Sequence, residues 1–303
     1  MIPDELLEKV RKDRERVSRL EEYIFENPDD RAAKSSLLSL RKRLGQFERE
    51  VAEFAKANFI DFVNYRIINT NARYSINTIA ESLIGFQQGF TAAYDAKKHG
   101  AKERARYSEE TLSRTELSIE STYQGSFGFV LYITDERSLF AGEFDETVEA
   151  IGDFLEIESA NEAIDCTRQL GLAATSRLYR WVAANFRSGN SVDYQWRQST
   201  GTFKGQLVPV ERFHKLKDIF ESAVDLEREQ LQLEGTLVGL DTARETFHFV
   251  LDDGSNYFGQ ISPEISTDPH LVPRRYVAHI LSEATLIPAT GERKEQYTLL
   301  ALT

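Results

Sequence analysis

Cysteine is nearly absent: Cys166 is the single one in 303 residues. One thiol cannot build an internal disulfide framework, and its scarcity fits a reducing cytoplasm. Long apolar runs are missing too. No stretch approaches the roughly 18 residues of a membrane-spanning helix, so no membrane association is expected. The opening MIPDELLEKVRKDRER interleaves acids and bases where a signal peptide would carry an apolar core. The five histidines stand at 99, 214, 248, 270 and 279, none with another His or Cys at ligand spacing. No metal site and no metal or redox cofactor is therefore expected. The GxSxG and HExxH signatures do not occur. Gly125-Ser126-Phe127-Gly128 lacks the Lys-Ser/Thr of a phosphate loop and reads as a hairpin turn. Cys166 lies in a helical pattern with no base beside it to activate the thiol, so it reads as a small packing residue. Carboxylates are abundant, yet no spacing singles out a catalytic pair, and no catalytic residue is assigned.

The remaining composition describes a folded chain. Hydrophobic residues make up 41% and charged residues 28%, which argues against wholesale disorder, and the length suggests about two domains. The net charge of −12 is uneven. Residues 1–56 hold 13 basic and 13 acidic residues, whereas residues 231–303 carry a net charge of −5. Acidic excess repels phosphates, so nucleic acid is disfavoured as a partner, although a local basic patch is not excluded.

The most regular signal is at the N-terminus. Residues 4–26 and 30–57 read as helices, separated by Asn27-Pro28-Asp29-Asp30, where Pro28 disfavours helix and an Asp can cap the second helix. In the second helix Leu37, Leu40, Leu44, Phe47, Val51 and Phe54 recur in alternating steps of three and four, a heptad seam. In the first, Leu6, Val10, Val17, Leu20 and Ile24 keep the same spacing, interrupted by Asp13. The short link makes the helices antiparallel, each roughly 35–40 Å long. So thin a pair must dock elsewhere. The options are its own body, a partner, or a second copy in a four-helix arrangement, and the seam marks the chain as a homo-oligomer, most simply a dimer.

Residues 58–228 read as an α+β domain. Residues 59–68 fit a strand or a continuation of the preceding helix. A helix from 76 to 98 carries Ile79, Leu83, Phe86 and Phe90 on one face, and further helices are expected at 143–157, 161–187 and 210–224. Segments 117–121 and 127–133, and 192–197 and 202–207, read as two hairpins. Residues 229–303 change texture to five short strands with Asp-Gly and Thr-Gly turns. Five strands in so few residues protect their edges by curling into a small barrel of oligonucleotide-binding or SH3-like type. Phe247, Phe249 and Leu251 fit its inward face, with Tyr257 or Tyr276 as candidate exposed rings.

The tail EGTLVGLDTARETFHFVLDDGSNYFGQI…TGERKEQYTLLAL resembles a five-stranded barrel that ends many uncharacterised bacterial proteins. The segments INTIAESLIGFQ, LSIESTYQGSFGFVLYI and VDYQWRQSTGTFKGQLV are similar to the α+β domain that often precedes it. The resemblance covers about residues 60–303 and leaves out the hairpin. It implies a bacterial intracellular protein, sometimes found among mobile or defence-type genes, and carries no established activity.

Two cationic groups stand out. Lys97, Lys98, His99, Lys102, Arg104 and Arg106 read as a solvated link. Arg177, Arg180, Trp181, Arg187, Trp196 and Arg197 combine both tryptophans with several arginines, and are either core with a charged rim, a protein interface or a nucleotide or nucleic-acid site. The sequence thus points first to an interaction or assembly protein that self-associates through its hairpin. A nucleic-acid or nucleotide-binding module and an enzyme built on dispersed carboxylates are the alternatives.

Overall fold

The computed structural model describes residues 4–69, 74–123, 127–134, 142–198, 202–263, 265 and 272–303. They form two compact units, Met1–Ser222 and Ala223–Thr303.

The first unit begins with the expected hairpin, α1 (Asp4–Glu26) and α2 (Arg31–Ala57). Asp30 caps α2, its carboxylate accepting from the Ala33 amide at 2.9 Å. Three cross-helix ion pairs fix the antiparallel register: Arg43 to Asp13 at 2.6 Å, Arg14 to Glu48 at 2.8 Å and Arg41 to Glu21 at 2.7 Å. Asp13, the break in the first helix's spacing, is 3% exposed and takes both of its short bonds from the Arg43 guanidinium, which holds its carboxyl below the usual carboxylate range.

Residues 60–69 form a strand, β1 (Ile60–Asn69), not a helical continuation. The run alternates, and its even and odd positions face different layers. β1 is the middle of a five-stranded antiparallel sheet ordered β2-β3-β1-β4-β5, with β2 (Ser118–Tyr123), β3 (Phe127–Thr134), β4 (Asn190–Arg197) and β5 (Phe203–Val208). Val63, Tyr65 and Ile67 point to one face, paired with Leu131, Phe129 and Phe127 on β3 and with Trp196, Tyr194 and Val192 on β4. That face meets the helices α3 (Ile76–His99), α5 (Asp145–Leu155), α6 (Ala160–Arg187) and α7 (Val210–Ser222); α4 (Glu109–Arg114) is a short turn beside α3. The opposite face, with Ile60, Phe62 and Val130, packs against Ala55, Val51, Phe54 and Leu6 at the base of the hairpin. The hairpin is therefore docked on its own sheet at one end.

Glycine sets two close approaches. A Cβ on Gly85 of α3 would lie 3.1 Å from the Trp181 Cα on α6, so the two helices touch nearly backbone to backbone. Gly171, at φ 81°, breaks α6 where the Lys102 backbone crosses it, and the Ala173 amide donates to the Lys102 carbonyl at 2.9 Å.

A polar chain runs through this core. The Trp181 indole donates to the Tyr65 hydroxyl at 2.8 Å, and the Ser82 hydroxyl donates to Asn185 Oδ1 at 2.6 Å. Since the Ser82 proton is committed, the 2.7 Å Tyr65–Ser82 bond has Tyr65 as its donor.

The second unit is a closed barrel ordered β10-β8-β7-β6-β9, made of β6 (Asp225–Asp241), β7 (Thr246–Leu251), β8 (Asn256–Ile261), β9 (Arg274–Ile287) and β10 (Glu292–Leu302). Its third and fifth strands pair in parallel and all other pairs are antiparallel, the connectivity of the oligonucleotide-binding type. The barrel starts before the expected residue 229, because β6 stays paired to β9 back to Asp225 opposite Leu286. Leu237, Phe247, Phe249, Ile261, Ala278, Ile280 and Leu299 fill it. The expected turns at 124–126 and 199–201 and most of the Pro-containing segment after β8 lie outside the described residues.

Candidate functional site

The hairpin seam is divided between the partner helix and the sheet beneath the arm. All six of Leu37, Leu40, Leu44, Phe47, Val51 and Phe54 are half-buried. Helical spacing aims Leu37, Leu40, Leu44 and Phe47 at α1, where Lys9 lies over the Phe47 ring, while Val51 and Phe54 pack against Ile60, Phe62 and Val130 of the sheet. The apolar surface that the arm leaves open is elsewhere. Phe25 is 87% exposed, Leu38 68% and Tyr23 46%. All three lie within two turns of the 27–30 link, at the end away from the sheet. Leu38 is on the back of α2, about 150° from the seam.

The arginine–tryptophan group is not one patch. Trp181 and Trp196 are 0% and 1% exposed. Sealed this way, neither indole can stack on a ligand, which corrects their assignment as binding residues. They point into the helix-facing core because β4 alternates and α6 lays one side on the sheet. Trp196 donates to the buried Asp61 carboxylate at 2.9 Å. Arg177 reaches Gln88 at 2.6 Å and Arg187 pairs with Glu81 at 2.7 Å, both across to α3, while Arg180 is exposed. Arg197 lies on the other side of the sheet, over the Phe203 ring. With Arg14 and Glu48 it lines a cavity of about 50 Å³ under the hairpin base. Burial there lowers its affinity for a proton, against the pull of Glu48.

A larger polar pocket of about 650 Å³ opens between α3, α4 and the end of β3. Its centre is Glu143, which accepts from the Tyr94 hydroxyl and from Arg114 at 2.5 and 2.8 Å. Burial and the Glu143 charge push the Tyr94 hydroxyl well up, so it stays protonated. At the rim, the buried Asp95 accepts from His99 at 2.9 Å and from Lys102 at 2.7 Å. Part of the expected solvated cationic link is thus tied to one carboxylate. Sequence spacing hid this cluster, since only the His99–Asp95 step of four is local. The acids here are met by cations and the tyrosine is held neutral, so the groups hold one another in place. Burial pushes the Cys166 thiol up to about 12, which keeps it an unreactive thiol at neutral pH. Among the described residues no group of three or more His, Cys, Asp or Glu could hold a metal ion, and no helix is long and apolar enough to cross a membrane.

No protein family matches the sequence, and no curated protein or solved structure matches the chain.

Proposed function

We propose that this protein is an assembly factor that pairs with a second copy of itself through the free end of its helical arm. The observation that carries the reading is Phe25, 87% exposed at the tip of an arm whose base is already docked. With Leu38 and Tyr23 also exposed near the link, the tip offers apolar side chains that a partner could cover. Charge permits a second copy. Residues 1–56 balance 13 basic against 13 acidic side chains, so the whole −12 lies outside the arm. As a whole the arm adds no net charge to a meeting of two acidic molecules, and the five acidic and two basic side chains of residues 21–34 leave the tip only mildly acidic. The seam that marked the hairpin for self-association does the prior job of building a stiff two-helix arm. The single cysteine supports a reducing, cytoplasmic setting.

The test is mass in solution by light scattering. Wild-type protein is expected at twice 34.6 kDa, and Phe25→Asp with Leu38→Asp at 34.6 kDa with unchanged helical content, because both side chains are exposed. A monomeric wild type at roughly 100 μM, where even weak dimers populate, would overturn the reading.

A further inference from the structure

On the outside of the barrel, two rings are stacked that the core does not use. His248 on β7 and Phe258 on β8 are direct cross-strand partners, with centroids 3.9 Å apart and planes 23° apart. Phe258 is 59% exposed. His248 Nε2 lies 3.0 Å from Asn256 Oδ1. A carbonyl oxygen can only accept, so Nε2 carries the proton and the imidazole is held in the plane that meets Phe258. Opposite His248 on the other side stands Gly239, so no side chain rises beside the imidazole there. At Gly259 a Cβ would lie 1.9 Å from the Tyr297 carbonyl oxygen, which fixes the residue as glycine. With Asp241, Thr246 and Gln260 these residues line an open groove of about 690 Å³.

Two features choose the occupant. The exposed ring face favours a flat, weakly hydrated group. The field favours a cation: residues 223–303 hold 13 acidic and 6 basic side chains. Four of those six bases are already paired to acids of the same barrel. The groove's lining carries the Asp241 carboxylate and neither lysine nor arginine, and the exposed Arg244 approaches that carboxylate only to 4.0 Å. A nucleobase satisfies the first condition but brings phosphates into a negative field. A lysine satisfies the second but is a strongly hydrated point charge. An arginine is planar, weakly hydrated and always charged, and meets both.

We propose that the β7–β8 outer face, centred on Phe258 and His248, is a docking site for an arginine-bearing basic segment of a partner protein. The full-length chain is titrated by fluorescence anisotropy, at roughly 0.1 M salt, with a labelled peptide carrying several arginines. The same peptide with lysines and a single-stranded oligothymidine serve as comparisons. The arginine peptide is expected to bind tightest. Phe258→Ala and His248→Ala should each weaken it roughly 3- to 10-fold, the size of one lost cation–ring contact, and Phe258→Tyr should retain binding. Equal binding of the arginine and lysine peptides, or binding indifferent to both ring deletions, would overturn the proposal. Oligothymidine binding that exceeds the peptide's and falls with Phe258→Ala would give the face to nucleic acid instead. Phe258 is exposed and its removal leaves the barrel core intact, and the His248 variant reads the same site independently.

Discussion

Tyr65 shows how much of this core depends on single polar atoms. Its hydroxyl takes the Trp181 indole proton and passes its own to Ser82, deep between β1, α3 and α6. Tyr65→Phe keeps the ring but leaves a buried indole N–H without that acceptor. A loss of roughly 1–3 kcal/mol in urea unfolding is expected, and no change at all would mean that the chain contributes nothing to stability. The same residue sets a pH limit. Burial pushes the Tyr65 hydroxyl well above its ordinary value, as it does for Tyr94 and Tyr179. Above about pH 10 the unfolded chain sheds these protons while the folded chain keeps them, so stability falls as pH rises. Tyr65→Phe should flatten that alkaline decline, which thermal melts between about pH 8 and 11 would read. None of this was legible in the sequence, where Tyr65 is one aromatic in an apolar run and its partners are 17 and 116 positions away. The tryptophans mislead for the same reason. Arginine nearby in sequence suggested a binding surface, but neighbours along a strand or helix alternate between core and solvent.

Elements were more legible than their contacts. The heptad seam announced α2, and the Asp-Gly turn announced β7 and β8, because both signals are local and periodic. Asp13 looked like an interruption of the seam, and only the antiparallel pairing shows it as the seat of Arg43. In the barrel, Phe247 and Phe249 face inward as their alternation required. The exposed ring, however, is Phe258, not Tyr257 or Tyr276, which pack against the core. A one-residue shift of register exchanges the faces of a strand, and composition alone does not fix it. Glycines separate by environment in a way that sequence cannot anticipate. Gly85→Ala would thrust a methyl at the Trp181 backbone and force α3 from α6, at an expected cost of roughly 1–3 kcal/mol. Gly45→Ala meets nothing within 4 Å in the middle of α2. It should stabilise by roughly 0.5–1 kcal/mol through helix propensity alone. A denaturant midpoint for Gly85→Ala no lower than that of the wild type would refute this account of how α3 and α6 meet.

At the scale of the whole molecule, the charge distribution makes the proposed pairing testable without any substitution. Two copies that meet by their arm tips bring together apolar side chains on arms whose charges sum to zero, while everything outside residues 1–56 carries −12 on each copy. The attraction is short-ranged and largely indifferent to salt, whereas the repulsion between bodies is long-ranged. At 0.01 M salt the screening length is about 30 Å, comparable to the arm itself, and at 0.15 M about 8 Å. Raising salt across that interval removes repulsion and leaves the contact, so the dimer should tighten several-fold. An interface held by ion pairs between copies would behave in the opposite way, because salt weakens exposed pairs. The cross-helix pairs of the hairpin lie within each arm and cancel from the comparison. Sedimentation equilibrium at the two salt concentrations separates the cases. Tightening with salt in the wild type, with Phe25→Asp monomeric at both concentrations, places the contact at the tip; weakening with salt would reject an apolar tip as the site of pairing.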